Sequence, residues 1–313
     1  MIAIGIDIGG TSIKGAAVYD DGRMLDVFSL PVVREDPGEV TLTKLIDIVE
    51  KYINDQGISK EIIGIGLGIP GLLDVDNGIV IHSNNLKWIN LPVRELFQKR
   101  LPYPVRIAND ANVAAYGEAR CGAGKGVPYV IMLTLGTGVG GGIVLDGKLY
   151  EGNEGKGAEL GHIVTEYGGR QCSCGRKGCL EAYASATALV RDTKEAMEKH
   201  PESLMHKVSE ENGKIDGRVA FKAARQGDLV ALSVVETYIY HLSEGILNYC
   251  NIFRPNVVIL SGGIANEGDY LFDRINAYLE KAQYGYPNSP VVKVVPAKLG
   301  YDSGKIGAAF LLF

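Results

Sequence analysis

Isoleucine alternates with other residues at the start of the chain, and this alternation identifies the first structural element. Isoleucines occupy every second position from Ile2 to Ile8, which is the spacing of side chains on one face of a β-strand. Asp20-Asp21-Gly22 has the composition of a hairpin turn, so residues 2–30 predict three strands. A helix over about 38–55, strands over 62–67 and 105–108, and a helix beginning near Asp110 are predicted to follow.

The same order of patterns returns in the second half of the chain. Residues 130–150 predict a strand, a glycine-rich turn, a second strand over 142–145, a turn at Asp146-Gly147 and a short third strand. The remaining predicted elements are helices over about 181–199 and 217–252, a strand over 257–261, a helix near 267–282, a strand over 291–295 and a helix from 303. We therefore expect two similar α/β halves, with the glycine-rich segment 121–126 as a hinge.

Composition excludes several functional classes. The 313 residues are 46% hydrophobic and 22% charged, as in ordinary soluble proteins with a large core. The net charge of −5 offers no basic face for a phosphodiester backbone, so a nucleic-acid partner is not expected. Met1 leads directly into a strand, without a signal peptide or a membrane-spanning segment. The sequence thus predicts a cytoplasmic protein with no membrane partner.

Glycine is strongly enriched and is concentrated after predicted strands. There are 41 glycines, near twice the usual share of about 7%. Gly9-Gly10, Gly136–Gly142 and Gly262-Gly263 each follow a strand-like run, and loops at strand ends are where ligands bind.

Two of these turns have the chemistry of phosphate-binding loops. In Asp7–Lys14 a carboxylate leaves the strand, the glycines expose backbone N–H groups, and Thr11 and Lys14 add donors. The second turn runs from Thr134 to Gly142. Neither has the Gly-Lys-Ser/Thr sequence of a P-loop, and each alone is compatible with an ordinary hairpin turn. Their equivalent positions in two similar halves favour the phosphate interpretation.

Three of the five cysteines lie within eight residues. Cys172, Cys174 and Cys179, with His162 ten positions upstream, make the thiolate and imidazole ligand set that zinc prefers in tetrahedral structural sites. A redox cluster or buried free thiols are the alternatives. A zinc ion with three thiolates and one imidazole has no vacant position and would act as a scaffold. Glu159, three residues before His162, would share one face of a helical turn with it.

Asn109-Asp110 lies where a predicted strand meets a predicted helix. Asp110 would be an ordinary N-cap in the structural interpretation. In the functional interpretation its carboxylate is a general base that takes a proton from a sugar hydroxyl during attack on phosphorus.

Together these motifs resemble the ROK family of sugar kinases, repressors and related proteins, in the right order over most of the chain. The Cys-x-Cys-Gly-x-x-Gly-Cys-x-Glu segment is the most specific of them. The resemblance rests on 7–11, 68–74, 109–112, 135–142, 159–162 and 172–181. It implies an α/β fold of the actin-like ATPase (ribonuclease H-like) type, with two similar α/β domains around a central cleft. The implied domains are 1–117 plus 303–313, and 118–302.

The resemblance also implies a role for each matching residue. Asp110 is the expected catalytic base. The expected sugar ligands are Asn85, Asn109, Asp110, Glu159, His162 and Glu181, and the expected zinc ligands are His162, Cys172, Cys174 and Cys179. The first phosphate loop would comprise Asp7, which also holds Mg²⁺, with Gly9, Gly10, Thr11 and Lys14. The second would comprise Thr134, Gly136, Thr137 and Gly138, and the adenosine loop Gly262 and Gly263.

The activity implied is ATP-dependent phosphorylation of a hexose, glucose to glucose 6-phosphate, with ATP, Mg²⁺ and structural Zn²⁺, in a homodimer or homotetramer. Kinases of N-acetylmannosamine, N-acetylglucosamine or fructose in the same family are the alternatives. A sugar-sensing repressor would need an N-terminal DNA-binding module, whereas the kinase-like region begins at residue 2. An inactive sugar-binding module would be expected to lack Asp110 or the phosphate loops, and both are present.

Overall fold

The computed structural model describes residues 1–313 and contains two five-stranded sheets with the same connectivity. The strands are β1 (Ile2–Ile8), β2 (Ser12–Tyr19), β3 (Phe28–Pro31), β4 (Ile62–Ile69), β5 (Leu72–Asp74), β6 (Ile79–Ser83), β7 (Trp88–Leu91), β8 (Val105–Asn109), β9 (Val130–Leu135), β10 (Val139–Leu145), β11 (Lys148–Tyr150), β12 (Val257–Ser261) and β13 (Lys293–Pro296). Sheet order is β3-β2-β1-β4-β8 in one sheet and β11-β10-β9-β12-β13 in the other, while β5-β6-β7 form a third, small sheet.

Each large sheet combines an antiparallel meander with two added parallel strands. In the first sheet β1 pairs antiparallel with β2 and parallel with β4, and β4 pairs parallel with β8. In the second sheet β12 pairs parallel with both β9 and β13. The prediction of two similar α/β halves is confirmed.

Ten α-helices connect the strands. They are α1 (Gly38–Gln56), α2 (Val93–Gln98), α3 (Asp110–Cys121), α4 (Glu181–Ala184), α5 (Ala186–Lys199), α6 (Met205–Asn212), α7 (Arg218–Arg225), α8 (Leu229–Phe253), α9 (Asp269–Ala282) and α10 (Ser303–Phe310). None of these helices has the length and apolar character needed to cross a membrane.

The chain divides into two units. The first comprises Met1–Pro128, Gly142–Ala158 and Lys298–Phe313, and the second comprises Tyr129–Gly141 and Glu159–Ala297. The domain boundaries expected at 117/118 and 302/303 stay a prediction.

The two faces of β1 bury side chains of different size. Its even-numbered isoleucines pack in one core with residues of α1 such as Leu45 and Val49. On the other face, Gly5 lies directly under the carbonyl group of Lys305 in α10. Because large and small residues alternate along β1, the sheet can pack a thick apolar layer on one side and a closely approaching helix on the other.

A fully buried glutamate fixes two segments of the first unit. Glu118 in α3 accepts hydrogen bonds through its carboxylate from the backbone N–H groups of Ala123 (2.8 Å), Lys298 (3.1 Å) and Leu299 (2.6 Å). The segment 121–126, expected to be a hinge, is therefore anchored at Ala123, and the chain enters the second unit after Pro128.

Several predicted boundaries are wrong. The helix expected over 217–252 is two helices, because the Asp228 carboxylate accepts from the N–H groups of Val230 (2.8 Å) and Ala231 (3.1 Å) and so starts α8. The helix expected over 181–199 is interrupted at Ser185, whose Oγ caps α5. The strand expected over 142–145 begins at Val139. Helices α2 and α6 and the small sheet β5-β6-β7 were not predicted.

The contact between α10 and β4 gives a test of the packing. A Cβ added to Gly66 would overlap the carbonyl oxygen of Ala308, and backbone cannot rotate away as a side chain can. We expect Gly66→Ala to lower the free energy of unfolding by about 3 kcal/mol, measured by denaturant unfolding. Gly263→Ala is the matched control, because Gly263 has open space around its Cα and ordinary φ. Equal stability of the two variants would contradict the proposed close packing.

Candidate functional site

The three cysteines and His162 come together in the second unit. The four ligand atoms all lie within 4.8 Å of one another. Cys172 Sγ is 3.6 Å from His162 Nδ1, and Cys174 Sγ is 3.7 Å from Cys179 Sγ. His162 ends the 3-10 turn Leu160–His162, in which its N–H donates to Glu159 O (3.0 Å). Glu159 and His162 thus share a helical turn, as their spacing predicted.

Backbone hydrogen bonds fold the cysteine loop into a small hairpin. Cys172 N donates to Arg176 O and Gly178 N donates to Arg170 O, both at 2.8 Å. Gly178 has φ of +80°, a conformation that favours glycine. A Cβ at this position would also overlap the carbonyl oxygen of Glu166, so only glycine fits here. The hydrogen-bonded turns of this loop therefore bring the three thiols close together.

The geometry and charge of this cluster fit a zinc ion. Tetrahedral ligation with ordinary Zn–S and Zn–N lengths places neighbouring sulfurs about 3.8 Å apart and sulfur and nitrogen about 3.5 Å apart, close to the separations in the protein. Burial raises the pKa of the Cys179 thiol to about 12, whereas the backbone N–H of Arg176 lowers the pKa of Cys174. Crowded thiols resist ionisation unless a cation balances them, and a divalent metal supplies that charge.

Glu181 lies beside the cysteine loop, and both of its carboxylate oxygens are engaged. Ser173 Oγ donates to Oε1 (2.8 Å), and the backbone N–H of Val139 donates to Oε2 (3.1 Å). Cys172 Sγ is 3.7 Å from Oε1. Glu181 thereby connects the cysteine loop to the end of the second glycine turn, within one unit.

The glycine turns of the second unit lie next to each other. Thr134 and Ser261 are register partners at the ends of β9 and β12. Gly262, with φ of +91°, lies against the backbone of Leu135, and Gly263 follows it. In the turn between β9 and β10, Gly136 N donates to Gly138 O (3.0 Å), and the carbonyl of the exposed Thr137 accepts from Thr187 Oγ1 (2.7 Å). The predicted phosphate and adenosine loops therefore share one edge of the second sheet.

In the first unit, Asn109 and Asp110 mark the start of α3. Asn109 is the N-cap: its Oδ1 accepts from the N–H groups of Ala111 (2.9 Å) and Asn112 (3.3 Å). The cap role that the structural interpretation gave to Asp110 thus belongs to Asn109, which keeps its Nδ2 amino group to offer to a ligand. Asp110 is the first residue of α3, where the helix dipole favours a negative charge.

Asp7 lies at the same edge of the first sheet. It is in register with Gly68 on β4, which is in register with Ala108 on β8, so Asp7 and Ala108 are two strands, or roughly 10 Å, apart. Burial raises the pKa of Asp7, and the positive charges of Lys305 and Lys14 oppose that rise. Lys14 is the register partner of Asp7 on β2.

The rest of the first glycine turn closes on itself and is flanked by the small sheet. Gly9 N donates to Ser12 O (3.0 Å), and Thr11 is exposed. Asn85, in the turn between β6 and β7, is adjacent to Gly10, because a Cβ on Gly10 would be 3.8 Å from the Asn85 Cβ. Asn85 is thus a neighbour of the predicted phosphate turn.

Sequence reasoning missed two side chains at these positions. Lys305 is only 2% exposed, and its Nζ donates to Tyr301 O (3.0 Å) and pairs with Asp302 Oδ1 (2.8 Å). A lysine within an otherwise apolar helix was the available signal for it. Ser173 carried no signal, since a serine between two cysteines is compatible with any exposed loop.

Comparison with known proteins resolves the family. The ROK family profile matches residues 3–313. The chain belongs to the ROK family. It is 37% identical to a glucokinase of Halalkalibacterium halodurans over 312 residues, covering 99% of this chain and 94% of the relative. A glucokinase of Thermotoga maritima is also 37% identical, with 99% and 96% covered.

One similar solved structure of the family contains bound ligands. The ROK family glucokinase from Streptomyces griseus, in complex with glucose and AMPPNP, is 34% identical, with 99% of both chains covered and a TM-score of 0.78. The fold of this ROK protein is that of the actin-like ATPases, as the resemblance implied.

The cysteine cluster gives a test that needs no substrate. We expect the purified protein to carry about one zinc ion per chain. Cys174→Ser should lose the metal and lower the free energy of unfolding by at least about 3 kcal/mol, measured by elemental analysis and thermal unfolding. Cys121→Ser is the control, because Cys121 lies outside the cluster. Wild-type protein free of zinc would contradict the metal site.

Proposed function

We propose that this protein is an ATP-dependent hexokinase that converts glucose to glucose 6-phosphate. The observation that carries the proposal is its full-length similarity to glucokinases at 37% identity, together with a relative of the same fold that binds glucose and AMPPNP. An aspartate at the start of α3 supplies the reactive group that a kinase requires.

The sugar is proposed to be held by hydrogen bonds to polar side chains. Asn109 would donate through Nδ2, since its Oδ1 caps α3. His162 presents Nδ1 to Cys172, which leaves Nε2 to contact a sugar hydroxyl in the orientation that metal ligation would fix. The set of proposed sugar ligands is Asn85, Asn109, Asp110, Glu159, His162 and Glu181.

Asp110 is the proposed general base. Its carboxylate accepts the proton of the C6 hydroxyl while that oxygen attacks the γ-phosphorus of ATP. The bond from the γ-phosphorus to the bridging oxygen breaks, and ADP leaves with the electron pair. A zinc ion held by three thiolates and one imidazole would have no vacant position for water, so the cysteine cluster is given no acid–base role in the proposed reaction.

The nucleotide is proposed to bind at the glycine turns. Backbone N–H groups of Gly9-Gly10 and of Gly136–Gly138 would face the phosphates, with Thr11, Lys14, Thr134 and Thr137 as further donors, and Gly262-Gly263 would lie against the adenosine. Asp7 offers a carboxylate for Mg²⁺, which in phosphoryl transfer neutralises charge on the phosphate oxygens. Zinc would be purely structural. The homodimer or homotetramer and the cytoplasmic location remain predictions of the sequence.

The identity of the sugar is the most direct test. ADP release should be measured with glucose, mannose, fructose, N-acetylglucosamine and N-acetylmannosamine as acceptors. We expect the highest kcat/KM with glucose. Preference for an N-acetyl sugar or fructose would replace glucokinase with one of the alternative kinases, and no turnover with any sugar would contradict a kinase altogether.

Replacement of the proposed base separates catalysis from binding. Asp110→Asn removes the proton acceptor at nearly constant volume, so we expect kcat to fall about 10²- to 10⁴-fold and the Kd for glucose to change little. The same substitution at Asp146, an exposed turn residue, should leave both quantities unchanged. An Asp110→Asn variant with wild-type kcat would remove Asp110 from its role.

A further inference from the structure

The carboxylate of Glu181 is bound from two sides by groups outside the proposed sugar contacts. Ser173 Oγ donates to Oε1 at 2.8 Å and Val139 N donates to Oε2 at 3.1 Å. The side chain therefore has a defined direction before any sugar binds. It also retains further lone pairs, because a carboxylate has about four acceptor sites.

Two side chains of the cysteine loop lie against Oε1 of Glu181. Cys172 Sγ is 3.7 Å from Oε1, and a thiol is a weak donor. Ser173 Oγ donates to the same oxygen at 2.8 Å, the usual length of a hydroxyl hydrogen bond to a carboxylate. The serine hydroxyl is therefore the stronger side-chain donor that orients this side of Glu181.

The position of Ser173 is itself fixed by the cluster. It is the residue between Cys172 and Cys174, and both neighbours contribute a ligand atom. The backbone of the loop is also closed by the Cys172 N to Arg176 O hydrogen bond. The backbone of Ser173 therefore cannot move without displacing a cysteine, and the direction of its hydroxyl is set by the hydrogen bond to Glu181 Oε1.

We propose that Ser173 is a positioning residue for sugar binding. The cysteine loop fixes where Ser173 lies, and its hydroxyl holds the Glu181 carboxylate in one direction through their hydrogen bond. The proposal rests on the proposed function, since it takes Glu181 as a sugar ligand. Ser173 does not itself contact the sugar in this proposal. Its effect should therefore appear in the affinity for glucose and depend on Glu181.

The contact of Gly138 with Oε2 offers a second way to change the orientation of Glu181, without altering Ser173. A Cβ added to Gly138 would overlap Glu181 Oε2, so an alanine there must push the carboxylate off its position. Gly138→Ala therefore tests whether the orientation of Glu181 controls sugar affinity.

The experiment measures the Kd of glucose by calorimetry without nucleotide, on zinc-loaded protein. Loss of one hydrogen bond corresponds to about a fivefold change, so we expect Ser173→Ala to raise the Kd about fivefold and Ser173→Thr to restore it within about twofold. Zinc content and thermal stability should stay at wild-type values. Gln171→Ala is the loop control, because Gln171 Nε2 bonds only to the carbonyls of Cys172 and Arg176, and it should not change the Kd.

A double-mutant comparison tests whether Ser173 affects glucose binding through Glu181. In the Glu181→Ala background, Ser173→Ala should have no further effect on the Kd. Gly138→Ala should also weaken glucose binding, because the added Cβ would displace the Glu181 carboxylate. The proposal is overturned by an unchanged Kd in Ser173→Ala, by loss of zinc in that variant, or by an equal effect of Gln171→Ala. An unchanged Kd in Glu181→Ala would overturn both the proposal and the sugar role of Glu181, while phosphorylation of glucose would still support the kinase function.

Discussion

Close approach of other groups to glycine Cα atoms is the constraint on which the rest of this structure depends. Gly5 and Gly66 let α10 lie directly on β1 and β4. At the edge of the same sheet, Gly304 lies against the Asp7 carboxyl, with 2.7 Å between an added Cβ and Asp7 Cγ. Gly138 plays the corresponding part for Glu181. The same property that packs the first unit therefore also positions two candidate site carboxylates.

The second constraint is electrostatic and belongs to the cysteine loop. Thiols as close as Cys174 and Cys179, 3.7 Å apart, are stable as neutral groups or as ligands of a cation. Burial raises the pKa of Cys179, and a metal would reverse this preference by replacing protons with a divalent charge. The loop is already shaped by its own backbone hydrogen bonds. A metal would in addition hold the side chains of the three cysteines and His162 in one orientation.

Local sequence signals predicted most of the fold and the clustering of the three cysteines with His162, because they act over a few residues. The alternating isoleucines of β1, the two meanders and the cysteine spacing are of this kind. The break before α8 was missed, although the segment 225–228 interrupts the apolar pattern and Gly227-Asp228 is a turn and cap signal. Ser173 could not be predicted, because its contact with Glu181 depends on the folded loop. Lys305 did carry a signal, as a lysine within an otherwise apolar helix, but its contact with Asp302 depends on the burial of α10.

Hydrogen bonds in the second unit link the cysteine loop, a proposed sugar ligand and the predicted phosphate turn. The cysteine loop, Ser173, Glu181 and the N–H of Val139 form one continuous chain, and Val139 directly follows Gly138 of that turn. With Glu181 as the proposed sugar ligand, a shift of the turn on nucleotide binding would change the orientation of Glu181 and the affinity for sugar. Linkage then requires that sugar change the affinity for nucleotide by the same factor. Because the proposed reaction needs both substrates at once, such mutual stabilisation would favour the ternary complex over either binary one.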